Sequence, residues 1–447
     1  MSRTALLLVL ANLSLVLMLW RRVGVNLSLS SVLICFLLLF HGPAYFYYTR
    51  IYGPDTDFYD VITSAAKGAD VTPTLDLALA LAFFSVCLGM LFADLATGVG
   101  VRKWKGAIRS WNENRVRVDA TSRQRVVFAA LALGLLLLVP FVLIDSQLPK
   151  IFEYFTSDLG EFDKVDLRRE GGGSAFYLYN LALGNVVPFI SFTLLAMVFA
   201  GVRNVKGVAI AFTMLVLIGK AATLSKAPLA VFALQCAVAW LLMRRLAVSW
   251  RVTLFLGLLA CLLFAVMSWI ANPSGAELAL VFEFLFYRVF MIVNESLLEY
   301  FAAIPYVLPH SWGAQSSWIA ALFQAEPRLP TYWLVSEVHR GFISSTTTVM
   351  FMGDAWADFG WAGVATVPFL AGAIVRWIDV RLIVKRGKSV ATIAGVTLGH
   401  YGLFIAMSTS LPTALVTGGL AFVVPLVAMV SQRRRGRRES ALAPACP

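Results

Sequence analysis

Apolar runs long enough to cross a bilayer recur along this chain from residue 4 to residue 430. A hydrocarbon core about 30 Å thick takes roughly 20 apolar residues as a helix. The repetition therefore predicts one all-α, polytopic integral membrane domain over residues 1–447, not a soluble domain carrying an anchor. Hydrophobic residues at 59% against charged residues at 14%, with a mean hydropathy of +0.79, exclude an ordinary globular protein. About eleven transmembrane helices are expected, near 4–20, 29–48, 75–97, 126–145, 177–200, 207–219, 227–243, 252–270, 361–378, 390–408 and 413–430. The first run lacks a small-residue cleavage site and is followed by Arg21 and Arg22, so it reads as a retained helix.

A net charge of +12 could suggest nucleic acid, but its placement says otherwise. Arg21/Arg22, Arg102 to Arg125, Arg203/Lys206, Arg244 to Arg251, Arg381 to Lys388 and Arg433 to Arg438 all fall on one side of the predicted helices. Basic residues in short loops mark the cytoplasmic side. The interval 101–125, with Trp104 and Trp111 among its cations, is expected to be a cytoplasmic loop docked on anionic lipid headgroups. The tail 431–447 is cytoplasmic on the same argument. The outer side then receives 49–74, 146–176 and one large late loop, 271–360, and the N-terminus lies outside. Of the five cysteines, none has disulfide or metal-ligand spacing with another, and no metal or cofactor is expected.

The outer segments hold the polar chemistry. In F-D-K-V-D-L-R-R-E-G-G-G, Arg168 and Arg169 stand before three glycines, which would let two guanidinium forks and close backbone amides wrap a phosphate or a sugar carboxylate; a solvated loop is the alternative. Lys220 and Lys226 fall in an outer turn between two apolar runs, where Lys226, near Thr223 and Ser225, is the better anion ligand and snorkelling is the other reading. Arg288, Glu295 and Glu299 are spaced by seven and four, hence on one face of a helix. The partner of Arg288 is either one of those glutamates or a substrate phosphate. Asp55, Asp57 and Asp60 read as a solvated turn.

The densest polar stretch runs from Arg340 to Gly363 and feeds straight into an apolar run. It holds five consecutive hydroxyls, Ser344 to Thr348, with Thr347 among them, and the glycines Gly341, Gly353, Gly360 and Gly363. Beside hydrocarbon, so many hydrogen-bonding groups are tolerated only where they line an enclosed or watery cavity. His339, next to Arg340, could accept or donate a proton or be a hydrogen-bonded bystander. Asp354 and Asp358 share a face if helical, and could act as a base, cap the helix or orient Arg340. No phosphate-binding glycine loop, nucleophile elbow or zinc-protease motif is present in the sequence.

The segment T-T-V-M-F-M-G-D-A-W-A-D-F-G-W-A-G, followed by a membrane helix, resembles the bacterial Wzy-type polymerases of oligosaccharide repeat units, which make O-antigen or exopolysaccharide. Gly353, Asp354, Trp356, Phe359, Gly360 and Gly363 stand in the family's pattern, Asp354 where glutamate is usual. L-R-R-E-G-G-G, T-L-S-K-A-P and Y-R-V-F-M-I-V-N-E-S-L-L-E-Y-F resemble the family more loosely and occur in the expected order. The resemblance implies transfer of a growing glycan from undecaprenyl diphosphate to a new lipid-linked unit, at the outer face of the bacterial inner membrane. Membrane lipids and a chain-length regulator are the partners to consider; nucleic acid is not. The departing diphosphate would rest on Arg168, Arg169, Lys226, Arg288 and Arg340, with Thr347 and Gly353 at the binding surface. The acceptor's proton would pass to His339, Asp354 or Asp358. An O-antigen ligase and a lipid-oligosaccharide flippase are the competing readings.

Overall fold

Inside a bilayer a backbone must satisfy its own polar groups, and the apolar runs do so as helices. The computed structural model describes residues 2–118, 120–143, 174–221, 226–248, 286–315, 329–341 and 347–431, with isolated residues between 254 and 283. Among the described residues there are helices and no strand. Six stretches are long and apolar enough to cross a membrane: Arg3–Val23, Leu29–Asp55, Thr72–Thr97, Tyr179–Phe199, Arg203–Ala221 and Leu411–Val430. Pro228–Arg244 and Val390–Ala406 are shorter and equally apolar. The expected helix 252–270 lies largely outside the described residues.

In chain order the helices are α1 (Arg3–Met18), α2 (Leu29–His41), α3 (Pro43–Tyr47), α4 (Asp57–Ala65), α5 (Thr72–Thr97), α6 (Val101–Glu113), α7 (Ala120–Leu143), α8 (Ser174–Gly184) and α9 (Val186–Phe199). They continue as α10 (Lys206–Ala221), α11 (Lys226–Arg244), α12 (Ile292–Ala303), α13 (Thr331–Arg340), α14 (Phe351–Asp379), α15 (Val390–Ala406), α16 (Leu411–Val416) and α17 (Leu420–Val430). The central pair is α5 and α14. A methyl group on Gly89 would stand 2.0 Å from the Phe369 carbonyl oxygen, and one on Gly372 would stand 2.3 Å from that of Val86. Small residues let the two backbones touch, which is how helices associate where hydrocarbon offers no hydrophobic drive. Arg376 on α14 completes the contact through Asp94 on α5.

The F-G-W-A-G motif has a structural explanation. Gly360 adopts φ 56° and ψ −136°, so α14 breaks there into a short leading segment and a long apolar one. That backbone conformation is open to glycine and strained for any other residue. Gly363 then lets the second segment pass the first, because a Cβ there would lie 2.0 Å from the Ala355 carbonyl oxygen.

Several of the basic segments pack together at one end of the molecule. Trp104 donates its indole N–H to the Val23 carbonyl at 2.7 Å, and Trp111 donates to that of Leu242 at 3.0 Å. Leu27 N–H bonds the Leu246 carbonyl, and Arg117 N–H that of Lys388. Lys388 Nζ donates to the Arg244 carbonyl at 3.0 Å, and Arg125 to that of Met429. Here the sequence reading needs refinement. The two tryptophans face the protein and are fully buried, whereas Arg102, Lys103, Lys105 and Arg109 on the same helix are exposed. Asp379 at the end of α14 accepts the N–H groups of Leu29 (3.0 Å) and Ser30 (2.7 Å), and so caps the first turn of α2.

The other end holds described parts of two segments expected outside, 49–74 and 271–360; the third, 146–176, lies almost wholly outside the described residues. Asp76 at the start of α5 takes a 2.7 Å ion pair from Arg50, the Tyr45 hydroxyl at 2.8 Å and the Thr4 hydroxyl at 3.2 Å. The start of α1 and the end of the second span therefore lie together, at the end where α4, α12, α13 and the leading part of α14 assemble.

Candidate functional site

Glu295 and Glu299 lie one turn apart on α12, which follows a π-helical turn at Tyr287–Met291. Their four-residue spacing puts both carboxyls on one face, and that face meets the C-terminus of α13. There Gly341, in the left-handed region at φ 72°, ends the helix just after Arg340. Arg340 Nη2 donates to Glu299 Oε1 at 2.6 Å, and its Nη1 donates to the Thr347 hydroxyl at 3.1 Å. Thr347 in turn donates to Glu299 Oε2 at 2.8 Å, closing a triangle. The segment carrying Thr347 is held by a bond from its N–H to the Tyr332 carbonyl, 3.1 Å.

Glu295 completes the surround. Its carboxylate stands 3.7 Å from Arg340 and accepts the hydroxyls of Tyr287 at 2.8 Å and Tyr48 at 3.4 Å. The ring of Phe58, from α4, lies 5.4 Å from the guanidinium carbon. Exposure is uneven: the Glu299 side chain is at 0%, whereas Arg340 keeps 19%. An incoming group therefore reaches the cation first. Burial pushes the Glu299 carboxyl up to about 7, even against the pull of Arg340 and Thr347, and burial raises Glu295 as well.

His339 is buried behind this triangle. Its Nε2 lies 2.9 Å from the Glu299 backbone carbonyl, which can only accept, so Nε2 holds the proton. Its Nδ1 is buried and has no hydrogen-bond partner among the described residues. Burial, with Arg340 alongside, lowers the pKa of the ring.

Asp354 and Asp358 form a separate cluster on the leading segment of α14. Asp358 accepts from the Ser311 hydroxyl and from Gln315 Nε2 (2.8 Å), and its carbonyl takes the Trp312 N–H at 2.9 Å. It thus ties the 310–315 loop to the helix. Asp354 is buried 3.5 Å from the Tyr300 hydroxyl, and burial, with Asp358 nearby, pushes it up to about 8. The carboxylates that hold Arg340 are Glu299 and Glu295.

The structure brings together Arg340, Thr347 and His339 of the residues expected from sequence. Gly353 is buried in the first turn of α14, where a Cβ would meet Val349 and Leu297. Arg288 is exposed on the π-helical turn. Lys226 opens α11, and its side chain is outside the described residues, as are Arg168 and Arg169. Asp55, Asp57 and Asp60 are exposed as expected, but Asp57 and Asp60 belong to the first turn of α4 instead of a loop. Sequence reasoning missed Tyr48, Tyr287 and Phe58 as lining groups, and saw Glu295 and Glu299 only as partners for Arg288. Among the described residues no three His, Cys, Asp or Glu side chains form a set that could hold a metal ion. Chemically, the site offers a partly exposed guanidinium that can bind an anion bidentately, with two buried carboxyls beside it.

Compared with known proteins, the chain matches no family model, no curated protein and no solved structure at a significant level.

Proposed function

We propose that this protein is a membrane polymerase of lipid-linked oligosaccharide repeat units, of the Wzy type. The observation that carries the reading is the Arg340–Glu299–Thr347 triangle, set at the end of the molecule opposite the basic segments. In this reading the chain crosses the bacterial inner membrane about eleven times. The basic end faces the cytoplasm, and residues 271–360 form the large periplasmic loop. The donor is an oligosaccharide on undecaprenyl diphosphate, and the acceptor is a sugar hydroxyl of a second lipid-linked unit.

Breaking the bond between the sugar and its diphosphate leaves charge on the phosphate oxygens. A preorganised guanidinium binds that charge most strongly once it has developed, and so lowers the barrier rather than only tightening the ground state. Arg340 is the cation placed for this, half enclosed by Phe58 and the two glutamates. Arg288, Arg168, Arg169 and Lys226 are the further cations of the reading.

Lipid-linked glycans from a deletion strain test it. Single capped units with no long chains are the expected outcome. Intact long chains accumulating on undecaprenyl diphosphate would instead identify a ligase.

A further inference from the structure

A glycan transfer needs a group to take the acceptor's proton, and that group must lie within hydrogen-bond reach of the acceptor hydroxyl as it approaches the sugar carbon bonded to the diphosphate. The cation that receives the diphosphate thus limits where the base can be. Asp358 is committed to Ser311 and Gln315. Asp354 is buried against Tyr300. His339 gives its one proton to the Glu299 carbonyl and lies behind the triangle. Glu295 has both its carboxylate oxygens on phenols and is 3.7 Å from Arg340.

Glu299 differs from all of these. Its Oε2 is fixed by Thr347, whereas its Oε1 is covered by Arg340 Nη2 at 2.6 Å. We propose that Glu299 is the general base of the transfer, and that the donor itself uncovers it by drawing Arg340 onto the diphosphate. This rests on the polymerase reading above. Phosphate oxygens compete for the guanidinium, which turns toward its open side and leaves Oε1 bare. A buried carboxylate that loses its cation binds a proton more tightly, so the base strengthens once the donor is in place. The acceptor O–H then breaks with its proton passing to Oε1. The acceptor oxygen bonds the anomeric carbon, and the bond from that carbon to the phosphate oxygen breaks with its electron pair leaving on the diphosphate. Return of Arg340 as the lipid departs favours loss of the proton from Glu299 to water. Without a donor, Oε1 stays capped, and water is not activated at the site.

The experiment uses full-length protein in nanodiscs, with undecaprenyl diphosphate as the binding probe. In parallel, glycan profiles are read from a deletion strain carrying each variant. Glu299→Gln should bind the probe at least as tightly as the parent, because the nearer of the two carboxylates that hold its guanidinium is gone. The same variant should lose elongation by about 100-fold or more, while Glu299→Asp recovers part of it. Long chains from Glu299→Gln would overturn the assignment. So would loss of probe binding and abundance together in both variants, which marks a structural role. Elongation by the unsubstituted protein in membrane vesicles should rise with pH, with a midpoint above the value of about 7 held by the Arg340-paired carboxyl; a flat profile from pH 5.5 to 8.5 would also overturn it. If the unsubstituted protein fails to bind the probe and the deletion strain keeps its long chains, the polymerase reading itself falls.

Discussion

Arg376 donates from Nε to Asp94 Oδ1 at 2.7 Å, linking residues 282 positions apart, and its guanidinium carbon lies 4.0 Å from the centre of the Trp104 ring. Both side chains are buried, at 1% and 4% exposure. Removing one member of such a pair leaves an uncompensated charge and costs about 3–5 kcal/mol, whereas replacing both with apolar groups costs far less. Asp94→Ala should therefore cut membrane abundance severely, and Asp94→Ala with Arg376→Met should recover much of it. Immunoblots of membrane fractions and thermal aggregation in detergent measure this. A double variant no better than the single would show that the pair is not the contact that matters.

Arg340→Lys retains a charge but loses the planar fork that reaches Glu299 and Thr347 together. Losing one such contact at the transition state costs on the order of 2–4 kcal/mol, or roughly 30- to 1000-fold in rate. Normal abundance with glycan stopping at single units is expected. Arg288→Lys, at an exposed position, should have a smaller effect. Long chains from Arg340→Lys would remove this residue from the mechanism.

Asp354 permits a prediction with a definite sign. Its carboxyl is raised from an ordinary 3.8 to about 8 in the folded protein. The unfolded chain gives up this proton first as pH rises. The stability conferred by the protonated form is thus whole below about pH 4, and is lost progressively until about pH 8. Asp354→Asn mimics the protonated form at every pH. The melting temperature of the variant minus that of the parent should increase from pH 5 to pH 8. A constant difference would mean that the carboxyl is already ionised in the fold.

Orientation can be read with two exposed positions at opposite ends. Asp60→Cys should react with an impermeant thiol reagent in intact cells, above the background of the unsubstituted chain, and Ser110→Cys should not. The reverse pattern would invert the topology and place the Arg340 site in the cytoplasm.

What was legible in the sequence is what depends on local pattern. Apolar run length predicted membrane helices, and the placement of Lys and Arg assigned Arg21/Arg22, Arg102 to Arg125, Arg244 to Arg251 and Arg381 to Lys388 to one side; in the structure Trp104 meets Val23, Trp111 meets Leu242 and Lys388 meets Arg244. The four-residue spacing of Glu295 and Glu299 was visible too. Their partner was not: Arg340 lies 41 positions beyond Glu299, and only the packing of α13 on α12 joins them. Phe58 and Tyr48 reach the site from the N-terminal part of the chain, where nothing local sets them apart from other aromatic residues. Trp104 and Trp111 were misleading for a related reason. Tryptophan between cations suits a lipid surface, and the seven-residue interval that turns both rings toward the protein mattered more.

The cap on α2 has a consequence for how the protein is made. The amides of Leu29 and Ser30 wait for a carboxylate that leaves the ribosome some 350 residues later. Until then the start of α2 must find other acceptors, in water, in headgroups or in the insertion machinery. The second span is thus delivered early and finished late, and the ribosome has made most of the chain before its N-terminal helices can reach their final state.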